Sequence, residues 1–266
     1  MNSYYTSSFS NCNAQVKLTV SEWTGDDGEF ITEEEAKKIP IIVEWKNLHT
    51  SEEKTYRISV GRMHSPHALN HESNYITVSP NGRYIAIWYT RIYCGDPNDG
   101  NLYMMVIDTE TQELTEGSCK DFGEFIEKSY SSTSEYSIKN CWVRVLDNGL
   151  LHIAIVSKPY ENYLMDPKTN KVVLNIEKIL MGEQLDYYFS DHLSYHHSIA
   201  TPETLFLIDE GQSLSDDKYD YVFQYDMDTG LTCFSDFRKQ TTRDLAEKYT
   251  MFPYDLTKGE VIAKGV

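Results

Sequence analysis

The feature that most limits how this chain can fold is a pair of hairpins that returns about every 60 residues. Three turns read Asp-Thr-Glu-Thr at 108–111, Asp-Pro-Lys-Thr at 166–169 and Asp-Met-Asp-Thr at 226–229. Asp108, Asp166 and Asp226 stand 58 and 60 residues apart, and Thr111, Thr169 and Thr229 each follow three residues later. An aspartate that opens a turn can accept from the amides just after it, and a threonine hydroxyl can close the same loop. Each of these outer turns joins an apolar strand to a more polar one, over 101–117, 162–177 and 219–235. Each unit also has an inner hairpin. These lie at 74–90, 141–156 and 197–210, turning at Pro80-Asn81-Gly82, Asp147-Asn148-Gly149 and Thr201-Pro202-Glu203. Gly82 and Gly149 stand where such turns need positive φ.

Two hairpins per unit make a four-stranded antiparallel sheet. One such sheet cannot bury both its faces, but sheets stacked face to face around an axis can. The segment RYIAIWY, 83–89, is apolar almost throughout, as expected of an inner strand sandwiched between neighbouring sheets. The reading is therefore all-β: a β-propeller of four-stranded antiparallel blades, about five units or an incomplete ring. A single domain spans 1–266, with units near 14–61, 74–117, 137–177 and 196–235 and a partial unit at 244–266. Helices are expected only as short insertions at 31–38, 121–129 and 241–249. Thr32 before Glu35, and Thr241 before Asp244, have the spacing of a capping box. No long helical period separates the strands, which argues against a parallel α/β fold.

The VSPNGRYIA hairpin resembles the inner hairpins of WD40-like and related propeller repeats. The WD40 unit is shorter, at about 40–45 residues, and has a Trp-Asp signature. Here the tryptophans read Trp23-Thr24, Trp45-Lys46, Trp88-Tyr89 and Trp142-Val143. The resemblance thus implies the architecture and not the WD40 rules of interaction. In texture the chain is also similar to long fungal proteins that place an N-terminal propeller ahead of a channel-like membrane region.

The net charge of −17 repels phosphate backbones and anionic lipid surfaces, which argues against nucleic-acid and direct membrane partners. The five cysteines are widely spaced and form no CxxC, so free, buried thiols in a reducing compartment are expected. The first 15 residues lack the basic and apolar regions of a signal peptide, and no apolar stretch reaches the ~20 residues of a membrane span. A cytoplasmic location is the expectation.

Candidate chemistry is sparse. His64, His67 and His71 have helical spacing, but Pro66 interrupts them. His192, His196 and His197 lack an HExxH pattern. Asp226 and Asp228, and the group Asp96, Asn98, Asp99 and Asn101, miss the spacing of a calcium loop. A glycoside hydrolase would need two carboxyls roughly 5–10 Å apart across a sugar site, and Glu72, Glu135 and Asp191 fall near the expected positions. Tyr187, Tyr188, Phe189 and Tyr195 are candidates for a ligand pocket or for sheet packing. No metal or other cofactor is expected. The expected function is a non-enzymatic scaffold that binds protein partners of basic or neutral surface through its loop faces. The alternatives are a propeller glycoside hydrolase with an acidic central site, and a regulatory propeller within a larger chain.

Overall fold

A computed structural model describes residues 4–21, 41–58, 76–90, 102–119, 141–155, 161–176, 179, 197–209, 219–249, 251–255 and 260–261. The protein is all-β, with four antiparallel sheets, each a meander in chain order. Sheet 1 contains β1 (Tyr4–Ser10), β2 (Ala14–Ser21), β3 (Ile41–Asn47) and β4 (Glu53–Ile58). Sheet 2 contains β5 (Ile76–Val78), β6 (Tyr84–Thr90), β7 (Leu102–Asp108) and β8 (Leu114–Cys119). Sheet 3 contains β9 (Cys141–Val145), β10 (Leu151–Ile155), β11 (Glu161–Asp166) and β12 (Lys171–Asn175). Sheet 4 contains β13 (His197–Ala200), β14 (Thr204–Asp209), β15 (Tyr219–Asp226) and β16 (Thr232–Arg238). Helix α1 (Lys239–Lys248) follows, then β17 (Met251–Asp255) and β18 (Glu260–Val261). The first sheet thus begins at Tyr4, ahead of residue 14. The last two strands form no sheet of their own: β17 pairs antiparallel with the free edge of β13, with Ser198 opposite Phe252, and β18 pairs with β17.

The sheets stack like propeller blades, and burial shows how. On β6, Ile85, Ala86, Ile87 and Trp88 are at most 1% exposed, so both faces of that strand are covered. It is the second strand of its sheet, hydrogen-bonded between β5 and β7. Sheet 3 is also covered on both faces. Val143, Val145 and Ile153 belong to a core shared with sheets 1 and 2, and Leu146, Leu164 and Ile176 to a second core with Leu207 and Phe223 of sheet 4.

The end sheets differ. Sheet 1 buries one face only: on β3, Ile41, Val43 and Trp45 are buried while Glu44 is exposed, pairing with Lys17 at 3.4 Å. Period-two alternation of this kind belongs to a sheet with one wet face. The outer face of sheet 4 is covered by α1. Leu245, Ala246 and Tyr249 make a helical stripe packed on Ile199, Phe206, Ile208 and Val222. The helix starts two residues before Thr241, straight from the extended Arg238, which makes no side-chain cap. Thr241 is therefore inside the first turn and the capping box does not form. The expected helices at 31–38 and 121–129 lie outside the described residues.

Candidate binding site where the four sheets converge

Strand register sorts the connections between two ends of the stack. Tyr84 pairs with Asp108, Leu151 with Met165, Thr204 with Asp226 and Ala14 with Asn47. In every sheet, therefore, the inner and outer hairpin turns lie at the same end. The strand ends that the longer connections join lie at the opposite end.

The tight turns are pinned to one another across sheets. Asn11 Oδ1 accepts from the amides of Asn13 and Ala14 at 2.9 Å, which closes the β1–β2 turn. Asn11 Nδ2 then donates to Ser79 O at 2.9 Å, Asn13 Nδ2 donates to Pro80 O, and Trp45 Nε1 donates to Gly82 O at 2.8 Å. Sheet 2 is tied to sheet 3 by the Asn81 amide, which donates to Asp147 Oδ1 at 2.9 Å. Asn148 Nδ2 reaches Met227 O of sheet 4 at 3.4 Å. Lys54 Nζ donates to Thr109 O at 2.8 Å, and Arg144 Nη2 to Ser198 O at 3.1 Å. Gly82 has φ +83°, and a Cβ there would stand 3.0 Å from the Ala14 Cβ. The close approach of sheets 1 and 2 thus depends on its having no side chain.

At this end a small cavity of about 30 Å³ opens, lined from all four sheets. Phe9 and Cys12 come from sheet 1, Val78 and Pro80 from sheet 2, and Arg144 from sheet 3. Ala200 of sheet 4, with Lys248 and Tyr249 at the end of α1, completes the described lining. Phe9, Val78, Ala200 and Arg144 are at most 6% exposed, whereas Cys12 and Lys248 are exposed. Lys248 Nζ lies over the Tyr249 ring, 5.1 Å from its centroid. The described lining thus holds two cations and no carboxylate.

Burial pulls the pKa of Arg144 down to about 9, which leaves it a cation at neutral pH. His152, directly opposite it on β10, is pulled down to about 4 by burial and by that charge, and is neutral. Its Nε2 lies 3.0 Å from Asn162 Oδ1. Burial pushes Asp147 up to about 6, against the Asn81 amide and the Ser79 hydroxyl, which favour its charged form.

At the outer turns, Asp108 Oδ1 accepts from Glu110 N at 3.0 Å and Thr111 N at 3.4 Å. Arg83 Nε and Nη2 also donate to the Asp108 carboxylate, at 3.0 and 2.7 Å. Thr169 Oγ1 donates to Asp166 Oδ2 at 2.9 Å, and Thr229 donates to Asp226 Oδ1 through its amide at 2.7 Å and its hydroxyl at 2.6 Å. Gly149 takes φ +80° beneath the Tyr84 ring. Asp228 lies in the same turn as Asp226, and no group of His, Cys, Asp and Glu that could hold a metal ion forms among the described residues.

Of the histidines picked out by spacing, only His197 is described, on β13. His64, His67, His71, His192 and His196 lie outside the described residues, as do Glu72, Glu135, Asp191, the 96–101 cluster and Tyr187, Tyr188, Phe189 and Tyr195. The thiols of Cys12 and Cys233 are free but exposed, contrary to the burial expected of them. Each falls where the chain meets water, in the β1–β2 turn and on the edge strand β16.

No family model and no curated protein matches the chain. Among solved structures it is similar to an acylaminoacyl peptidase of Pyrococcus horikoshii, at TM-score 0.37 and 9% identity over 86% of this chain and 32% of that one. It is also similar to an engineered GH43 glycoside hydrolase, at TM-score 0.30 and 8% identity over 84% of this chain and 39% of that one. Hydrazine synthase of Kuenenia stuttgartiensis gives TM-score 0.29 and 11% identity over 83% and 51%. The chain spans between a third and a half of the length of these proteins. Among the described residues no helix is long and apolar enough to cross a membrane.

Proposed function

We propose that the protein is a non-catalytic binding scaffold that recognises another protein through its long connections. The observation that carries this reading is the division between the two ends of the stack. The tight turns are hydrogen-bonded from sheet to sheet, and the strand ends that the longer connections join lie at the other end. With a chain charge of −17, the complementary surface is basic or neutral. The WD40-like inner hairpin Ser79–Gly82 fits the same reading, because its turn serves as a joint between sheets. The exposed thiols of Cys12 and Cys233 fit a reducing, cytoplasmic setting.

A hydrolase with an acidic axial site draws no support from the described residues. The described lining of the convergent cavity, of about 30 Å³, includes Arg144 and Lys248 and no carboxylate.

The test is site-specific photocrosslinking in cells, with the reactive residue placed at Tyr93 or Ser131 in long connections, or at Asn81 or Glu110 in tight turns. A discrete crosslinked protein from the long-connection positions, absent from the turn positions, is the expected result. Crosslinks confined to the turn positions, or none, would overturn the reading.

A further inference from the structure

We propose that the free face of sheet 1, with Leu48 at its rim, is an interaction surface for a second copy of this chain, paired about a two-fold axis. The pairing does not depend on what the long connections bind.

The first observation is an equivalence among the outer turns. In sheet 1, Asn47 Oδ1 accepts from His49 N at 2.8 Å and Thr50 N at 2.9 Å, as Asp108 does from the matching amides in sheet 2. Four residues after the opening Asn or Asp, Ser51, Gln112, Asn170 and Gly230 all take positive φ. The next residue after that Asn or Asp reaches back to the inner turn in three sheets. Leu48 N donates to Asn13 O at 2.9 Å, Thr109 N to Arg83 O at 3.0 Å and Met227 N to Glu203 O at 2.8 Å. Leu48, Thr109, Pro167 and Met227 therefore hold one position in the repeat.

Where a sheet precedes, that position is covered. Thr109, Pro167 and Met227 are buried. Lys54 of sheet 1 donates to Thr109 O at 2.8 Å, and Asn148 of sheet 3 to Met227 O at 3.4 Å. Among the described residues no sheet precedes sheet 1, and Leu48 is 42% exposed. An aliphatic side chain thus meets water where the repeat elsewhere packs on a neighbour.

The second observation is charge. At −17 the chain as a whole repels its own copy. The free face of sheet 1 departs from that average. Register sets three cations on it, Lys17, Lys46 and Arg57, with two acids, Glu44 and Glu53. A two-fold interface lays a patch against itself, so a patch of both signs can complement its copy. Lys17–Glu44 at 3.4 Å and Lys46–Glu53 at 2.8 Å are exposed pairs, which hold little alone and can be shared with a copy. Area sets the strength. Strands about 4.8 Å apart and about seven residues long make a face of about 20 by 23 Å, roughly half of what each partner gives in a stable complex. The pair is therefore weak, with a Kd on the order of 100 μM.

The test is sedimentation velocity on the full chain at concentrations up to about 500 μM, where the weight-average mass should approach that of a dimer. Leu48→Asp should weaken the association about tenfold or more. Leu231→Asp, which changes an exposed leucine in the outer turn of sheet 4, should leave it unchanged. Lys17→Glu and Glu44→Lys should each self-associate about tenfold more weakly, and an equimolar mixture of the two should associate at least as well as wild type. All four positions are exposed, and circular dichroism checks that the variants keep the fold. A monomer at every concentration, which would leave the face to solvent or to a different partner, would overturn the proposal. So would a dimer indifferent to Leu48→Asp, an equal loss in Leu231→Asp, or charge variants that do not associate when mixed.

Discussion

The Asn81 amide donates to Asp147 Oδ1 across two sheets at 2.9 Å, and the second oxygen of that carboxylate is buried without a partner. This bond is a joint between sheets 2 and 3, and it places a negative charge where burial opposes it. Burial holds the carboxyl at about 6, above its unfolded value, so the folded state binds the proton more tightly. The stability gained is full below pH 4 and is lost as pH rises through 6.

Asp147→Asn keeps the acceptor and removes the charge. The variant should gain about 1 kcal/mol at pH 7.5, after discounting for partial exposure, or about 2–4 °C in Tm. Relative to wild type, the gain should shrink to nothing by pH 4. Thermal melts at pH 4, 5, 6 and 7.5 check it, and an equal Tm difference at every pH would contradict the joint described here.

His152 acts with the opposite sign in the same window. Burial first, and the Arg144 charge second, hold it near 4, below its unfolded value, so the unfolded chain binds the proton more tightly. Its contribution is full above pH 6.5 and declines as pH falls toward 4. His152→Gln should lose stability at pH 7.5, by about 1–3 kcal/mol, because the packing around Asn162 is disturbed. The deficit against wild type should narrow as pH falls from 6.5 to 4. Between pH 4 and 6 the two groups offset each other in the wild type, so each is visible only in the variant that removes it.

Gly82 has positive φ and a neighbour at 3.0 Å, while Gly230, at φ +69°, has open space. Gly82→Ala should therefore cost about 2 kcal/mol or more, and Gly230→Ala only the backbone penalty of about 1 kcal/mol. Urea denaturation of both variants gives the comparison. Equal losses would show that sheet 1 can retreat from the Gly82 turn.

Arg83 makes a two-pronged ion pair with Asp108 and a single contact with Glu110 at 2.8 Å. Burial pushes Asp108 up, but Arg83 and the amides of Glu110 and Thr111 outweigh it and hold the carboxyl at about 2. The depressed value gives stability that is present above pH 4 and lost as pH falls toward 2. Arg83→Met should cost about 1 kcal/mol at pH 7 and move the acid-unfolding midpoint to higher pH, seen by circular dichroism.

The sequence made the turns and the doubly covered strand legible because both rest on local chemistry. Asx turns, positive-φ glycines and an uninterrupted apolar run each have one ready structural meaning. Strand β1 carries the segment YYTSSFS, in which period-two alternation is absent, so only its pairing with β2 identifies it. The pairing at the other edge of β13 is equally invisible, since β17 joins it from about 50 residues away in sequence, and long-range pairing leaves no local mark. The cavity had one readable clue. Arg144 in CWVRVL and His152 in LHIAIV are lone polar residues in apolar runs, and register sets them side by side. That Arg144 would line a cavity with Ala200 and Lys248 depended on the stacking of sheets, which no local pattern encodes.

Because the sheets touch in chain order and the stack ends in a wet face on one side and a helix on the other, the fold behaves as a short one-dimensional lattice with unequal termini. Sheets 2 and 3 each lean on two neighbours and sheet 1 on one, so sheet 1 is the segment that separates first under load. Amide hydrogens of β6 and β10 then outlast those of β2 and β3, and a protease acting on the partly opened molecule leaves behind a core of the two middle sheets with the helix-capped fourth.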